Sequence, residues 1–360
     1  MKKFYNVPWE IYKNDKNWIP PFWSELHNFL KKQNPFWNHA KVELFILHQK
    51  NQVVGRIATI IDYDFIKHEK NNTGFFGFFE CINDVNVANA LFKTAEDWLK
   101  THNIKKMCGP INGRIDLGSG FLIKGFNSPP YLIAPYSPKY YATLAENYNM
   151  EKSRDLISYE LDITQPIPPS LLKTVKKCKK QKVTYRKVSR LHLKKEMMLF
   201  HKMLITEFAE HWGFTPVSLK ELHSRHGIKQ LKWIVVPKLF LIAEIEKTPV
   251  GFRWAMPNYN QLFKEFNGKL GITEIVKFVS NLKKIDQGKF VILGIEKEHR
   301  GKGIGSFLNY YALLEMKKRG YKKAEYGWIE ESNIASKKAG EKLGGKLSKI
   351  YRVYEKEIVN

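Results

Sequence analysis

GIEKEHRGKGIG, Gly294–Gly305, is the stretch that decides the fold of this chain. Just before it, Lys289–Ile295 is a short apolar run of the buried-strand kind. Just after it, Ile304, Phe307, Leu308, Tyr311 and Leu314 recur at helical spacing across Ile304–Arg319, and Gly320 stops the helix. The stretch is therefore a strand-to-helix junction carrying Arg300, Gly301, Lys302, Gly303 and Gly305. Glycines permit a tight turn and let a phosphate come close to the backbone. The unpaired N–H groups and positive end of the helix face that phosphate. Lys302 adds a charge.

A Walker loop needs Gly-Lys-Ser/Thr after four intervening residues, which this chain lacks here. A dinucleotide fingerprint needs G-x-G-x-x-G, and here the spacing is G-x-G-x-G. The third candidate is R-x-x-G-x-G, which Arg300, Gly303 and Gly305 match. It resembles motif A of the GNAT acyltransferase superfamily. Asn333, Ala335, Glu341, Lys342, Leu343 and Gly344 follow at the expected distance and resemble motif B. This resemblance, over about residues 183 to 358, implies acyl-CoA binding, acetyl-CoA first, where two strands splay. By position, the backbone of Leu293 and Ile295 would pair with pantetheine. The amides of Arg300, Gly301, Lys302, Gly303, Ile304 and Gly305 would hold the pyrophosphate. Asn333 would lie near the pantetheine arm, with small Ala335, Ala339 and Gly340 letting it pass. Many superfamily members carry a proton-donating Tyr seven residues after the motif B Asn; here that residue is Gly340. Tyr326, Tyr351 or a water is left as the acid. An attacking amine must be neutral, so Glu296, Glu330 and Glu331, at strand ends, are candidate bases.

Outward from the loop, the second half alternates strand and helix patterns. Val183–Ser189 is a strand, Leu191–His211 a helix, and another helix follows Thr215-Pro216. Leu239–Ile245 and Pro249–Ala255 form a hairpin. A polar excursion covers Asn258–Gln287. Lys323–Ile329 is a strand, Asn333 caps a helix to Leu343, and Leu347–Ile358 is the last strand. The first half repeats this order more faintly. Helices at Pro8–Tyr12 and Ser24–Lys32 precede a hairpin of Val42–His48 and Val53–Asp62. Thr73–Cys81 leads into a helix bearing Val87, Leu91, Ala95 and Trp98. Lys105–Cys108, a long Gly/Pro-rich stretch at Gly109–Pro138, a helix at Lys139–Asn147 and a strand at Ser153–Asp162 complete it. The expected fold class is α/β (α+β mixed). It consists of tandem GNAT-like folds, each a mixed, mostly antiparallel twisted sheet flanked by helices. The expected division is 1–163, a Pro-rich linker at 164–170, and 171–360.

The first copy's counterpart of the loop is Cys81–Val87, CINDVNV. It has neither Gly nor Arg, and Asp84 stands where a pyrophosphate would lie. A carboxylate there caps its own helix and repels an anion. The first copy is expected to form the other wall of an acceptor cleft, with Asn112, Arg114, Asp116, Tyr131 and Tyr136 in its long loop. Beyond the two motifs, IYKNDKNWIPP, PFW, GFFGFFE and HWGF-P resemble a group of two-copy bacterial proteins of this type.

The 360 residues suit two domains, and 43% apolar content supplies their cores. Net charge is +25, but only ten of sixty basic residues are Arg. Most of the charge is solvated lysine. The cluster Lys173, Lys176, Lys177, Lys179, Lys180, Lys182, Arg186, Lys187 and Arg190 is the exception worth placing, as a polyanion surface or a solvated face. Three scattered cysteines without a CxxC pair fit a reduced, cytoplasmic chain and no metal site. No apolar stretch is long enough to span a bilayer. The expected activity is acyl-CoA-dependent transfer to a small amine in a ternary complex. The alternatives are a Fem-like transferase using aminoacyl-tRNA, which would bring nucleic acid as partner, and a CoA-binding protein without turnover.

Overall fold

The computed structural model describes residues 2–31, 34–115, 118–225 and 234–359. Its elements run, in order, α1 (Lys2–Ile11), α2 (Trp23–Phe29), β1 (Ala40–Gln49), β2 (Gln52–Asp62), α3 (Tyr63–Glu69), β3 (Thr73–Cys81), α4 (Val85–Thr101), β4 (Lys106–Gly109), β5 (Phe121–Lys124), α5 (Tyr140–Asn147) and β6 (Glu151–Asp162). Then follow α6 (Pro169–Lys180), β7 (Thr184–Lys187), α7 (Leu193–Phe208), α8 (Leu219–Arg225), β8 (Phe240–Ile245), β9 (Thr248–Pro257), α9 (Asn260–Phe263), α10 (Ile272–Asn281), β10 (Gln287–Ile295), α11 (Ile304–Lys318), β11 (Lys323–Glu330), α12 (Ile334–Lys342) and β12 (Lys346–Glu357). The mixed α/β class and the mostly antiparallel sheets are as expected.

The chain folds into two compact units. One holds Met1–Leu156, Phe263–Ile275 and Lys349–Asn360; the other holds Ile157–Leu262 and Val276–Ser348. The division falls within β6 and not at the proline-rich 164–170. That segment is also shorter than expected. Pro168 caps α6, and Pro169 and Ser170 already belong to the helix. Proline fits there because the first-turn N–H has no helical acceptor anyway. No helical pattern stands out over α6, since Leu171, Val175 and Cys178 form a narrow buried stripe among lysines.

In the first unit, β1, β2 and β3 pair antiparallel in order, and β3 pairs parallel with β4. The last strand of the chain joins this sheet. In β12, Tyr354–Glu357 pair antiparallel with β4, and Ile350–Arg352 with β5. Arg352 forks onto Asp155 at 2.8 and 3.0 Å, and the Tyr354 hydroxyl donates to Glu146 at 2.9 Å. These bonds fix the final strand in a unit built mainly from the first half. The core packs α4 and α5 on the sheet through Leu91, Phe92, Leu99, Phe76, Phe79 and Tyr141.

In the second unit, β7, β8, β9 and β10 are antiparallel in order, and β10 is parallel to β11. Besides α6, further helices differ from expectation: α3 and α9 fall in stretches with no helical expectation. The polar excursion 258–287 contains α10, and α1 begins at Lys2, well before Pro8.

Candidate functional site

The second unit's two central strands separate. Parallel pairing of β10 with β11 runs from Gln287↔Lys323 to Phe290↔Tyr326 and then stops, although β10 continues to Ile295 and β11 to Glu330. A bulge on β10 between Phe290 and Ile292 bends the strand at the same place. From Val291 to Ile295, the β10 edge facing β11 has no strand partner among the described pairings. Leu293 and Ile295 lie in this unpaired stretch.

At the mouth of the gap, eight residues, Glu296–Gly303, link β10 to α11. Gly301 and Gly303 have φ of 76° and 90°, the left-handed region glycine tolerates. Gly303 is the N-cap of α11 and supplies no side-chain cap. Among the described hydrogen bonds, none uses the N–H of Gly301, Lys302 or Gly303. With the free first-turn amides of α11, they form a cluster of donors beside an exposed Lys302. Gly305 serves packing: a Cβ there would stand 3.1 Å from Leu293 Cδ2. A Cβ on Gly303 would meet Thr174 Cγ2 of α6 at 2.6 Å.

Arg300 points its guanidinium back into the protein. Nε donates to Ile295 O at 3.1 Å, and Nη2 to the Glu207 carbonyl and carboxylate at 3.0 and 3.1 Å. It clamps the loop to the end of α7, so its contribution is to loop shape. Burial pushes the Glu207 carboxyl up, against the opposing pull of Arg300. Glu296 lies close enough to this pair to raise Glu207 further.

Asn333 caps α12, its side chain accepting from Ser336 N at 3.0 Å. The Gly340 position has a steric explanation. A Cβ there would lie 3.1 Å from both Tyr159 Cδ2 and Tyr326 Cδ1. Two strand tyrosines fill the space where a helix tyrosine would otherwise reach. Tyr326 is buried at the last rung before the strands part. Tyr351 belongs to the first unit. Glu330 accepts from Ser332 N at 3.0 Å and lies near His211.

Two residues escaped sequence reasoning. Arg253 of β9 is 2% exposed, with its guanidinium carbon 4.6 Å over the Phe290 ring and 4.7 Å over the Tyr326 ring. Burial pulls it down to about 10, and its Nε and Nη2 have no hydrogen-bond partner among the described residues. A lone Arg in the strand GFRWAM carries no motif to flag it. His211 stands three residues beyond α7, its ring pushed below the ordinary imidazole value by burial and by Arg300. It opens the HWGF segment, so the only available signal was family likeness.

The corresponding gap in the first unit is closed by the chain itself. Beyond Phe75↔Cys108, Ile111 N donates to Phe76 O at 2.8 Å and Phe78 N to Asn112 Oδ1 at 2.6 Å. Asp84 caps α4, accepting from Asn86 N and Val87 N. Of the other residues expected in the long loop, Tyr136 donates to Asp15 at 2.8 Å, Arg114 and Tyr131 are buried, and Asp116 lies outside the described residues. A cavity of about 70 Å³ remains, lined by polar residues such as Arg56, Glu80 and Asn112 and equally by apolar ones such as Phe79, Phe121 and Pro135.

Most of the basic cluster at 173–190 is a solvated face. Its five α6 lysines are exposed, while Arg186 is paired with Glu196 and Glu244. Burial pushes the Cys81 and Cys108 thiols up to about 12, which leaves them inert as nucleophiles. Among the described residues, no group of His, Cys, Asp or Glu stands together as a metal site. No described helix is long and apolar enough to cross a membrane.

Residues 200–344 match the Acetyltransferase (GNAT) family. Protein YghO of Escherichia coli (strain K12) is 30% identical over 99% of this chain and 93% of its own length. A bacterial ceramide synthase of Caulobacter vibrioides is 30% identical over 99% of this chain and 95% of its own. A tandem GNAT protein from the clavulanic acid biosynthesis pathway superposes with a TM-score of 0.55 at 10% identity, covering 100% of this chain and 95% of that one. Splayed strands, an amide-rich loop and likeness along nearly the whole length agree: the chain belongs to the GNAT family and is an N-acyltransferase.

Proposed function

We propose that the second unit binds an acyl-CoA and passes its acyl group directly to an amine. The observation that carries this reading is the parting of β10 and β11 after Phe290 and Tyr326, with the Gly loop at its mouth. The unpaired edge at Leu293 and Ile295 suits the amides of pantetheine. The Arg300 N–H is spent on Lys297 O, but the amides of Gly301–Gly305 and the charge of Lys302 suit the pyrophosphate. A strand N–H polarises the thioester carbonyl as charge develops on its oxygen. Asn333 and the small face of α12 flank the arm. The first unit, by this reading, is a GNAT-like domain that has lost the pyrophosphate loop.

The amine must lose a proton, and the departing thiolate must gain one or leave as it is. His211, held neutral by burial at neutral pH, fits the base better than the carboxylates. Glu330 lies beside it, and Glu296 stands with the Arg300–Glu207 pair. Tyr326, at the parting point and beneath Arg253, is the proposed acid.

Acetyl-CoA with a small amine is the simplest pair. Likeness to a ceramide synthase over nearly the whole chain favours a second pair: a longer acyl donor and a long-chain amino alcohol. Competition between acetyl-CoA and long-chain acyl-CoA, read as N-acylated product from each amine class, separates them. Absence of product from every pair would overturn the transfer reading.

A further inference from the structure

KLGITEIVKFVSNLKK, Lys269–Lys284, holds a helix facing the wrong way for a core. In α10, Ile272, Ile275, Val276 and Val279 fall at i, i+3, i+4 and i+7, one apolar stripe that Leu282 extends. An amphipathic helix of a globular protein turns such a stripe inward. Here Ile272 is 83% exposed, Ile275 51%, Val276 62% and Val279 56%. None of the helix's residues is buried. Leu270, just before it, is 53% exposed. A contiguous apolar patch of this kind marks an interaction surface.

The charges around the patch select its partner. Lys269 precedes the helix, Lys277 lies on its polar side, and Lys283 and Lys284 follow it. The nearest acid, Glu274, accepts from Gly271 N and Thr273 Oγ1, so it is engaged within the helix start. A second copy of the chain, itself at net charge +25, would set like charges together. An anionic bilayer satisfies both features. The aliphatic stripe enters the headgroup–acyl boundary, and the lysines meet lipid phosphates.

We propose that α10 is an interfacial helix that docks the enzyme on anionic phospholipid. This deepens the acceptor reading, because a long-chain amine resides in a bilayer and must be collected there. Vesicle binding needs no turnover, so either reading can fail without the other.

The test is flotation of the full chain with vesicles of phosphatidylcholine, and with vesicles of phosphatidylcholine and phosphatidylglycerol in equal parts. The wild type is expected to float with the second and far less with the first, more weakly as salt rises. Changing Ile272, Val276 and Val279 together to Glu should weaken binding about tenfold or more. Those residues are solvent-facing, so circular dichroism and acyl-CoA affinity should not change. Lys277→Glu with Lys283→Glu and Lys284→Glu should weaken binding to the anionic vesicles. No flotation of the wild type overturns the proposal. So does undiminished flotation of the triple Ile/Val variant, which would shift the interaction to lysines elsewhere. A concentration-dependent dimer abolished by that variant, without vesicle binding, would assign the patch to a second copy.

Discussion

The two strand-to-helix junctions of this chain start alike and end differently. Between β3 and α4 lie three residues, Ile82–Asp84; between β10 and α11 lie eight, Glu296–Gly303. Before them, β3 and β10 match closely. Gly74 and Gly288 each abut the helix that follows, through Leu99 and Met316 respectively. Each strand bulges near its middle, and Gly55 and Gly251 sit opposite Cys81 and Ile295. Past that point the first unit fills its anion position with its own carboxylate and closes its gap with Asn112. The second leaves its amides and strand edge open. On the proposed reading, the fold sets where an acyl-CoA site can form, and the length and chemistry of a few loop residues decide whether it does.

The comparison is most directly broken by transplant. Replacing Glu296–Gly303 with Ile-Asn-Asp should abolish acyl-CoA binding, raising Kd more than about a hundredfold. The shorter link already joins a similar strand and helix in the first unit, so the unit should still fold by circular dichroism. Retained binding would show that the loop is not the phosphate site.

A next, still large, effect concerns chemistry. His211→Gln should lower kcat by about a hundredfold or more if the imidazole is the base, with acyl-CoA affinity little changed. In the wild type, burial lowers the His211 pKa. Activity should therefore fall as pH drops below the ordinary imidazole value of about 6.5 and through the lower folded value. The unfolded chain binds this proton more readily than the folded one, so stability contributed through His211 also falls over that window. A kcat/KM profile without such an acid limb would exclude it. Tyr326→Phe tests the acid in the same assay.

Lys302→Glu should weaken acyl-CoA binding by about tenfold, less at high salt, because the side chain is exposed and its charge is screened. The smallest effect on binding belongs to the first unit. Asp84→Ala removes a helix cap and should cost about 1 kcal/mol of stability in denaturant unfolding. It should leave acyl-CoA affinity unchanged. Reduced affinity would contradict the assignment of binding to the second unit.

Much of this was legible in the sequence. The Gly loop, the hairpins and β3 followed from turn chemistry and apolar period, and the Asp84 cap from its place before a helix. Lysines masked the narrow stripe of α6. The stripe of α10 has a helical period, yet its polar flanks made it look like a loop, and no local pattern says that an apolar face points outward. The place of β12 rests on pairing with β4 and β5, more than two hundred residues earlier in the chain. Gly340 was visible as a departure, but Tyr159 and Tyr326 as its cause are a tertiary fact. Arg253 is conspicuous only once its burial is known.

On the proposed reading, one unit alone, through the Glu296–Gly303 junction, holds an acyl-CoA. Calorimetric titration of the whole chain with acetyl-CoA and a long-chain acyl-CoA, beside the transplant and Asp84→Ala variants, tests it most directly. The expected result is one site per chain, lost in the transplant and kept in Asp84→Ala. Two sites, no heat with either ester, or binding that survives the transplant would contradict it.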